Sequence, residues 1–176
     1  GGTDAGAAYV FTRSGTTWTQ QQKLVASDAQ ASDYFGYVTA ISGDTVVVGA
    51  YQEDTGGSSA GAAYVFTRSG TTWTQQQKIT ASDAQSSDYF GISSAISGDT
   101  IVVTAQHEDA GGSSAGAAYI FTRSGTTWSQ QQKLIASDAE SSDYFGGFCT
   151  IDGDTVVVGA PGEDSQATSA GAAYVF

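Results

Sequence analysis

A tetrapeptide, Asp-Tyr-Phe-Gly, stands at residues 33–36, 88–91 and 143–146, and each time it opens the same run of sequence. The spacing is 55 residues (88 − 33 and 143 − 88). A fixed period of this kind marks a chain made by repeating one supersecondary unit. The fold must therefore be one in which a 55-residue unit packs against copies of itself.

Each unit reads as four short strands. Tyr34 to Ile41 is the first, Ser42-Gly43-Asp44 is a tight turn, and Thr45 to Ala50, with Val46, Val47 and Val48, is the second. Gly6 to Arg13 is the third strand and recurs at Gly61, Gly116 and Gly171. Ser14-Gly15-Thr16 is a hairpin signal leading to a fourth strand, Thr17 to Val25. The polar run Ala26–Asp33 leads on to the next first strand, and a Gly/Ser loop, Tyr51 to Ala60, joins the second strand to the third.

Four strands in meander order at this period predict an all-β chain of propeller blades. The second and third strands are apolar at consecutive positions, as inner strands covered on both faces must be. The fourth strand alternates, with Trp18, Gln20, Gln22 and Leu24 assigned to one face, and its Lys23 suits an outer edge. The units run 1–33 (third and fourth strands only), 34–88, 89–143 and 144–176 (first three strands). Three blade-equivalents are too few to close a ring, so a partial ring, or one completed by another chain, is expected.

The net charge is −12, from 6 basic and 18 acidic residues, with no cationic cluster to meet phosphates. A nucleic-acid partner is excluded on that ground. No apolar run is long enough to insert in a membrane as a helix. A single cysteine, Cys149, and a single histidine, His107, offer no Ser/His/Asp set, no Cys–His pair and no zinc-ligand spacing. No enzyme is expected.

The motifs that carry the period are Phe35-Gly36 with Gly49-Ala50, Phe90-Gly91, and Phe145-Gly146 with Gly159-Ala160-Pro161. These resemble the FG-GAP repeat, the blade unit of the integrin α-subunit β-propeller and of many bacterial surface proteins. The resemblance covers nearly the whole chain. It implies a β-propeller on an extracellular or cell-surface protein, serving adhesion or ligand binding and not catalysis. Integrin-type repeats often hold calcium in the loop after the first strand. Here that turn is only Ser42-Gly43-Asp44, too short to supply six to eight oxygens. Calcium, if bound, is expected at the acidic loops.

Strand order alone places the loops before the first and after the second strand at one end of each blade. That end carries Asp28, Asp33, Glu53 and Asp54, then Asp83, Asp88, Glu108 and Asp109, then Asp138, Asp143, Glu163 and Asp164. This acidic face is the expected binding surface for a protein or glycan ligand. Loop shaping by Asp and Ser side chains is the competing role. The copies diverge mainly along the first strand (Tyr37-Val-Thr-Ala, Ile92-Ser-Ser-Ala, Gly147-Phe-Cys-Thr) and at the start of the following loop (Tyr51-Gln, Gln106-His, Pro161-Gly). An alternative expectation is a structural unit that self-associates by blade completion into a ring or filament, with no ligand site.

Overall fold

The computed structural model describes residues 2–167 and 170–176. Among them are thirteen strands and no helix. β1 (Ala8–Ser14) and β2 (Thr17–Leu24) form a hairpin. β3 (Thr39–Ser42), β4 (Thr45–Ala50), β5 (Ala62–Ser69) and β6 (Thr72–Ile79) form an antiparallel meander sheet. β7 (Ser93–Ser97), β8 (Thr100–Ala105), β9 (Ala117–Ser124) and β10 (Thr127–Leu134) repeat it. β11 (Phe148–Asp152), β12 (Thr155–Ala160) and β13 (Ala172–Val175) form a three-stranded sheet.

The sheets are arranged as propeller blades. The first strands β3, β7 and β11 pack side by side, whereas the fourth strands β2, β6 and β10 meet only sparingly. The sheets thus converge at their inner edges and splay at their outer edges, and the ring is not closed. β4 is buried along its whole length, because its valines meet one neighbouring sheet on each face. Val47 joins Val65, Ile101 and Tyr119 in one core, while Val46 and Val48 join Leu24, Tyr64 and Trp73 in the next.

The Phe of each Phe-Gly motif fills the seam between sheets. Phe35, Phe90 and Phe145 are fully buried, and Phe90 meets Tyr119 and Phe121 edge-on at 5.5 and 6.0 Å. The backbone of Gly61 lies against Phe90 as a parallel bridge. A Cβ on Gly61 would stand 2.0 Å from the Phe90 carbonyl oxygen, at a φ of +87°, so only glycine fits.

Two expectations are corrected. The first strand does not begin at Tyr34. Tyr34 and Gly36 take positive φ of 54° and 96°, so residues 34–38 leave regular strand geometry, and the ladder begins at Thr39 although the Gly36 N–H and the Val38 C=O already bond Gly49. The fourth strand does not keep one alternation either. A bulge near Gln21 shifts the register, with Gln20 opposite Phe11 but Gln22 opposite Val10. The same bulge in β6 puts Trp73 in the core with Tyr64 and Phe66, and Ile79 in the opposite core with Ala63 and Val65. The fourth strand therefore serves both neighbouring seams.

Candidate functional site

The twelve acidic residues share one end of the sheets, as the strand order requires, but they do different work. Asp33, Asp88, Asp143, Glu53, Glu108 and Glu163 are buried. Asp33 accepts the Gln30 backbone N–H at 2.7 Å, and Asp88 and Asp143 accept those of Gln85 and Glu140 at the same distance. Burial raises the Asp33 and Asp88 carboxyls above the usual range despite these bonds, and Glu53 and Glu108 add repulsion. Asp54 and Asp109 are exposed but accept the backbone N–H of Ser59 and Ser114 at 2.7 Å. Asp164 is exposed.

The buried glutamates are ion-paired to lysines that the sequence reading had assigned only to an outer edge. Lys78 lies 2.8 Å from both Glu53 and Asp28, and Lys133 lies 2.7 Å from both Glu108 and Asp83. Each lysine sits one hairpin away from its glutamate in the same sheet, and the aspartate comes from the loop before that sheet. Burial disfavours the ammonium, but the paired carboxylates outweigh it and hold Lys78 and Lys133 above the usual lysine value. Asp28 and Asp83 are held below theirs, since the lysine bonds outweigh burial. Tyr119 donates to Asp83 at 2.9 Å and Tyr174 to Asp138 at 2.7 Å. At Glu163 the Ser165 N–H donates at 2.8 Å.

Among the described residues, no group of three or more Asp, Glu, His or Cys side chains is placed to hold a metal ion. Cys149 lies in the first-strand slot against Ser93, its backbone N–H 3.2 Å from the Ser93 hydroxyl. Burial pushes its thiol up to about 11, which suits a packing residue and not a nucleophile. Among the described residues no helix is long and apolar enough to cross a membrane.

What the sequence reading missed is a row of aromatic rings at the inner rim of the same end. Tyr37 and Tyr34 meet Tyr51 at 4.5 and 5.6 Å. Tyr51 meets Tyr89 at 5.5 Å, Tyr89 meets His107 at 4.8 Å, and His107 meets Tyr144 at 5.3 Å. The turn that replaces the start of the first strand creates this row. Tyr34, Tyr89 and Tyr144 all take φ between 54° and 59°, a conformation costly for a bulky residue. Tyr37 is 58% exposed. Burial lowers His107 below the usual histidine value, against the pull of Asp109. The signal available in the sequence was the divergence at Tyr37, Tyr51 and His107, among otherwise near-identical copies.

The sequence profile described as FG-GAP repeat matches residues 18–66, 73–121 and 128–176. Each match begins on the tryptophan of one fourth strand and ends in the third strand of the next sheet, or one residue past it at Phe176, so the sequence unit straddles a seam. No curated protein matches the chain.

Proposed function

We propose, from the premise that this chain belongs to the FG-GAP repeat family, that it is a non-catalytic β-propeller module that binds a protein ligand through the inner rim of its loop face, in an adhesive role outside the cell. The family is typical of extracellular proteins and supplies a propeller-type binding or structural module. The observation that carries the reading is the coincidence of the aromatic row with the positions where the repeats differ. A repeat protein with one ligand needs asymmetry at that ligand, and here the asymmetry lies at Tyr37, Tyr51 and His107.

The carboxylates play a supporting part. Glu53, Glu108, Asp28 and Asp83 are engaged by lysines, so calcium would have to displace an ammonium group to reach them. Asp54, Asp109 and Asp164 remain exposed in the loops that carry Tyr51 and His107 and their counterpart in the last unit. Aromatic faces beside uncompensated carboxylates suit a cationic partner, and each exposed cation–π contact contributes about 0.5–1 kcal/mol.

Titration calorimetry with a deca-arginine peptide tests this. Tyr37→Ala/Tyr51→Ala should weaken binding about 5- to 30-fold, from two such contacts, while Tyr9→Ala, at an exposed ring outside that row, leaves it unchanged. Equal affinities for all three proteins would refute the aromatic rim. If Asp54→Asn/Asp109→Asn alone abolished binding, the acidic face itself would be the site.

A further inference from the structure

We propose, resting on the ligand reading above, that His107 makes the aromatic rim an acid-released site: when its ring takes up a proton, a cationic ligand leaves.

Between the motif tyrosines of the row stand two inserted rings, in like places. Tyr51 lies between Tyr34 and Tyr89, at 5.6 and 5.5 Å, and His107 lies between Tyr89 and Tyr144, at 4.8 and 5.3 Å. They come from neighbouring positions of the repeat with the order of the pair reversed, Tyr51-Gln52 in one loop and Gln106-His107 in the next. In both loops the glutamine holds the ring. The Gln52 amide donates to the Tyr51 hydroxyl at 3.3 Å, and the Gln106 amide nitrogen lies 3.3 Å from His107 Nε2. Glutamines fix rings at the seams as well, where Gln22 and Gln77 accept the backbone N–H of Trp73 and Trp128, and Gln21 and Gln76 accept their indole N–H at 3.0 Å. A phenol and an imidazole thus occupy equivalent, equally supported places in the rim, and they differ in one property. The Tyr51 phenol is held above its usual value and stays neutral, whereas an imidazole changes charge within the physiological range.

The bonding around His107 is that of the neutral ring. An amide nitrogen only donates, so Nε2 accepts from Gln106, and the ring proton sits on Nδ1, 3.2 Å from the Ser114 hydroxyl. The His107 backbone N–H donates to the Asp88 carbonyl at 3.3 Å, which fixes the ring beside Tyr89. Proton uptake at Nε2 sets two N–H groups against each other. The Gln106 amide must then turn, and a positive charge stands in the row of rings that a cationic ligand would occupy.

The other titratable side chains on the loops packed around His107 are engaged or neutral. Asp88 and Asp143 accept backbone N–H groups of their own loops, Glu108 is held by Lys133, and Tyr89 and Tyr144 are phenols. Asp109 accepts the Ser114 N–H and is the charge that opposes the burial disfavouring an imidazolium. Two like unit charges about 6 Å apart in a solvated site weaken binding about 3- to 10-fold. The linkage is reciprocal, so bound ligand must lower the pH at which His107 titrates.

Titration calorimetry with deca-arginine between about pH 7.5 and about pH 4.5 tests this, because every arginine stays charged over that range and the chain holds no second histidine. The quantity read is the ratio of affinities at the two ends of the series within each protein, with the thermal transition confirming the fold at both. The parent should lose about 3- to 10-fold more affinity than His107→Tyr, which installs the ring of the preceding loop, or His107→Gln, which removes it. The nuclear magnetic resonance titration of the His107 ring should move to lower pH when peptide is present. An affinity that falls equally in the parent and both variants overturns the proposal and assigns the loss to carboxylates. So does a His107 titration that the peptide does not move. Absence of binding at the upper pH removes the rim reading and the acid release together, whereas binding there with no excess loss in the parent removes the acid release alone.

Discussion

Lys78→Met isolates the ionic core of the loop face. The substitution keeps an apolar stem of similar length but leaves Glu53, which is 2% exposed, without its cation, and leaves Asp28 with one contact fewer. Removing one partner of a buried pair costs about 3–5 kcal/mol, because the remaining charge is desolvated and uncompensated. Glu53 retains the Thr55 N–H at 3.1 Å and the Thr55 hydroxyl at 2.5 Å, so the lower half of that range is expected. For a chain of this size about 3–4 kcal/mol is a fall in Tm of roughly 6–16 °C. The double variant Glu53→Gln/Lys78→Met should recover more than half the loss, since a neutral amide is cheaper to bury than a lone carboxylate. Lys23→Met is the internal control. It alters the same residue in the same local sequence, but without an ion-pair partner among the described residues, so its effect should stay within about 0.5 kcal/mol. Urea unfolding of all four proteins, at a concentration where each is monomeric, gives the comparison. Equal costs for Lys78→Met and Lys23→Met would refute the argument that the buried glutamate, and not the lysine's own packing, sets the magnitude.

Trp128→Ala should cost about 3–5 kcal/mol, by the same urea assay in which Trp18→Ala costs the monomer almost nothing; equal losses would mean that the seams do not carry the stability. Gly61→Ala places a methyl group against the Phe90 carbonyl at a positive φ and is expected to prevent cooperative folding, read as loss of the thermal transition. In acid, Asp28 and Asp83, whose carboxyls are held low in the folded state, contribute stability that is present above the ordinary value of 3.8 and lost as pH falls through their folded values. Asp33 and Asp88 are held high and act in the opposite sense, gaining on protonation. Asp28→Asn/Asp83→Asn should therefore lose less stability than the parent between about pH 4 and pH 2, measured by chemical denaturation at each pH. Cys149, pushed up to about 11, is about 10⁻⁴ thiolate at neutral pH, so a disulfide reagent should label it in the folded protein far more slowly than an ordinary thiol, and in urea at the ordinary rate.

The strands were legible wherever side chains declare a period. The Val46–Val48 run and the Ser-Gly-Asp and Ser-Gly-Thr turns give β4 to within a residue and the neighbouring hairpins nearly so. The bulge in the fourth strand was not, because Gln20, Gln21 and Gln22 look alike and nothing in a run of glutamines says which one lies outside the ladder. The acidic loops show the same limit. Glu53 and Asp54 are neighbours in sequence, yet one is buried against a lysine 25 positions away and the other caps the Ser59 N–H at the surface. Sequence order gave both the same face, and only packing separates a structural charge from a free one. The aromatic row escaped notice because Tyr34 reads as a strand residue, whereas its left-handed backbone sits beside the Phe35–Gly6 bridge to another unit.

The joint made by a glutamine pair on one sheet and a tryptophan on the next is the same at both internal seams. Its consequence is genetic as much as mechanical. Misaligned recombination between copies of such a gene removes or adds whole units in frame, and each product still sets a glutamine pair against a tryptophan. Array length can then drift without the glutamine–tryptophan joint having to be rebuilt, while rim residues, which take no part in that joint, can diverge from copy to copy.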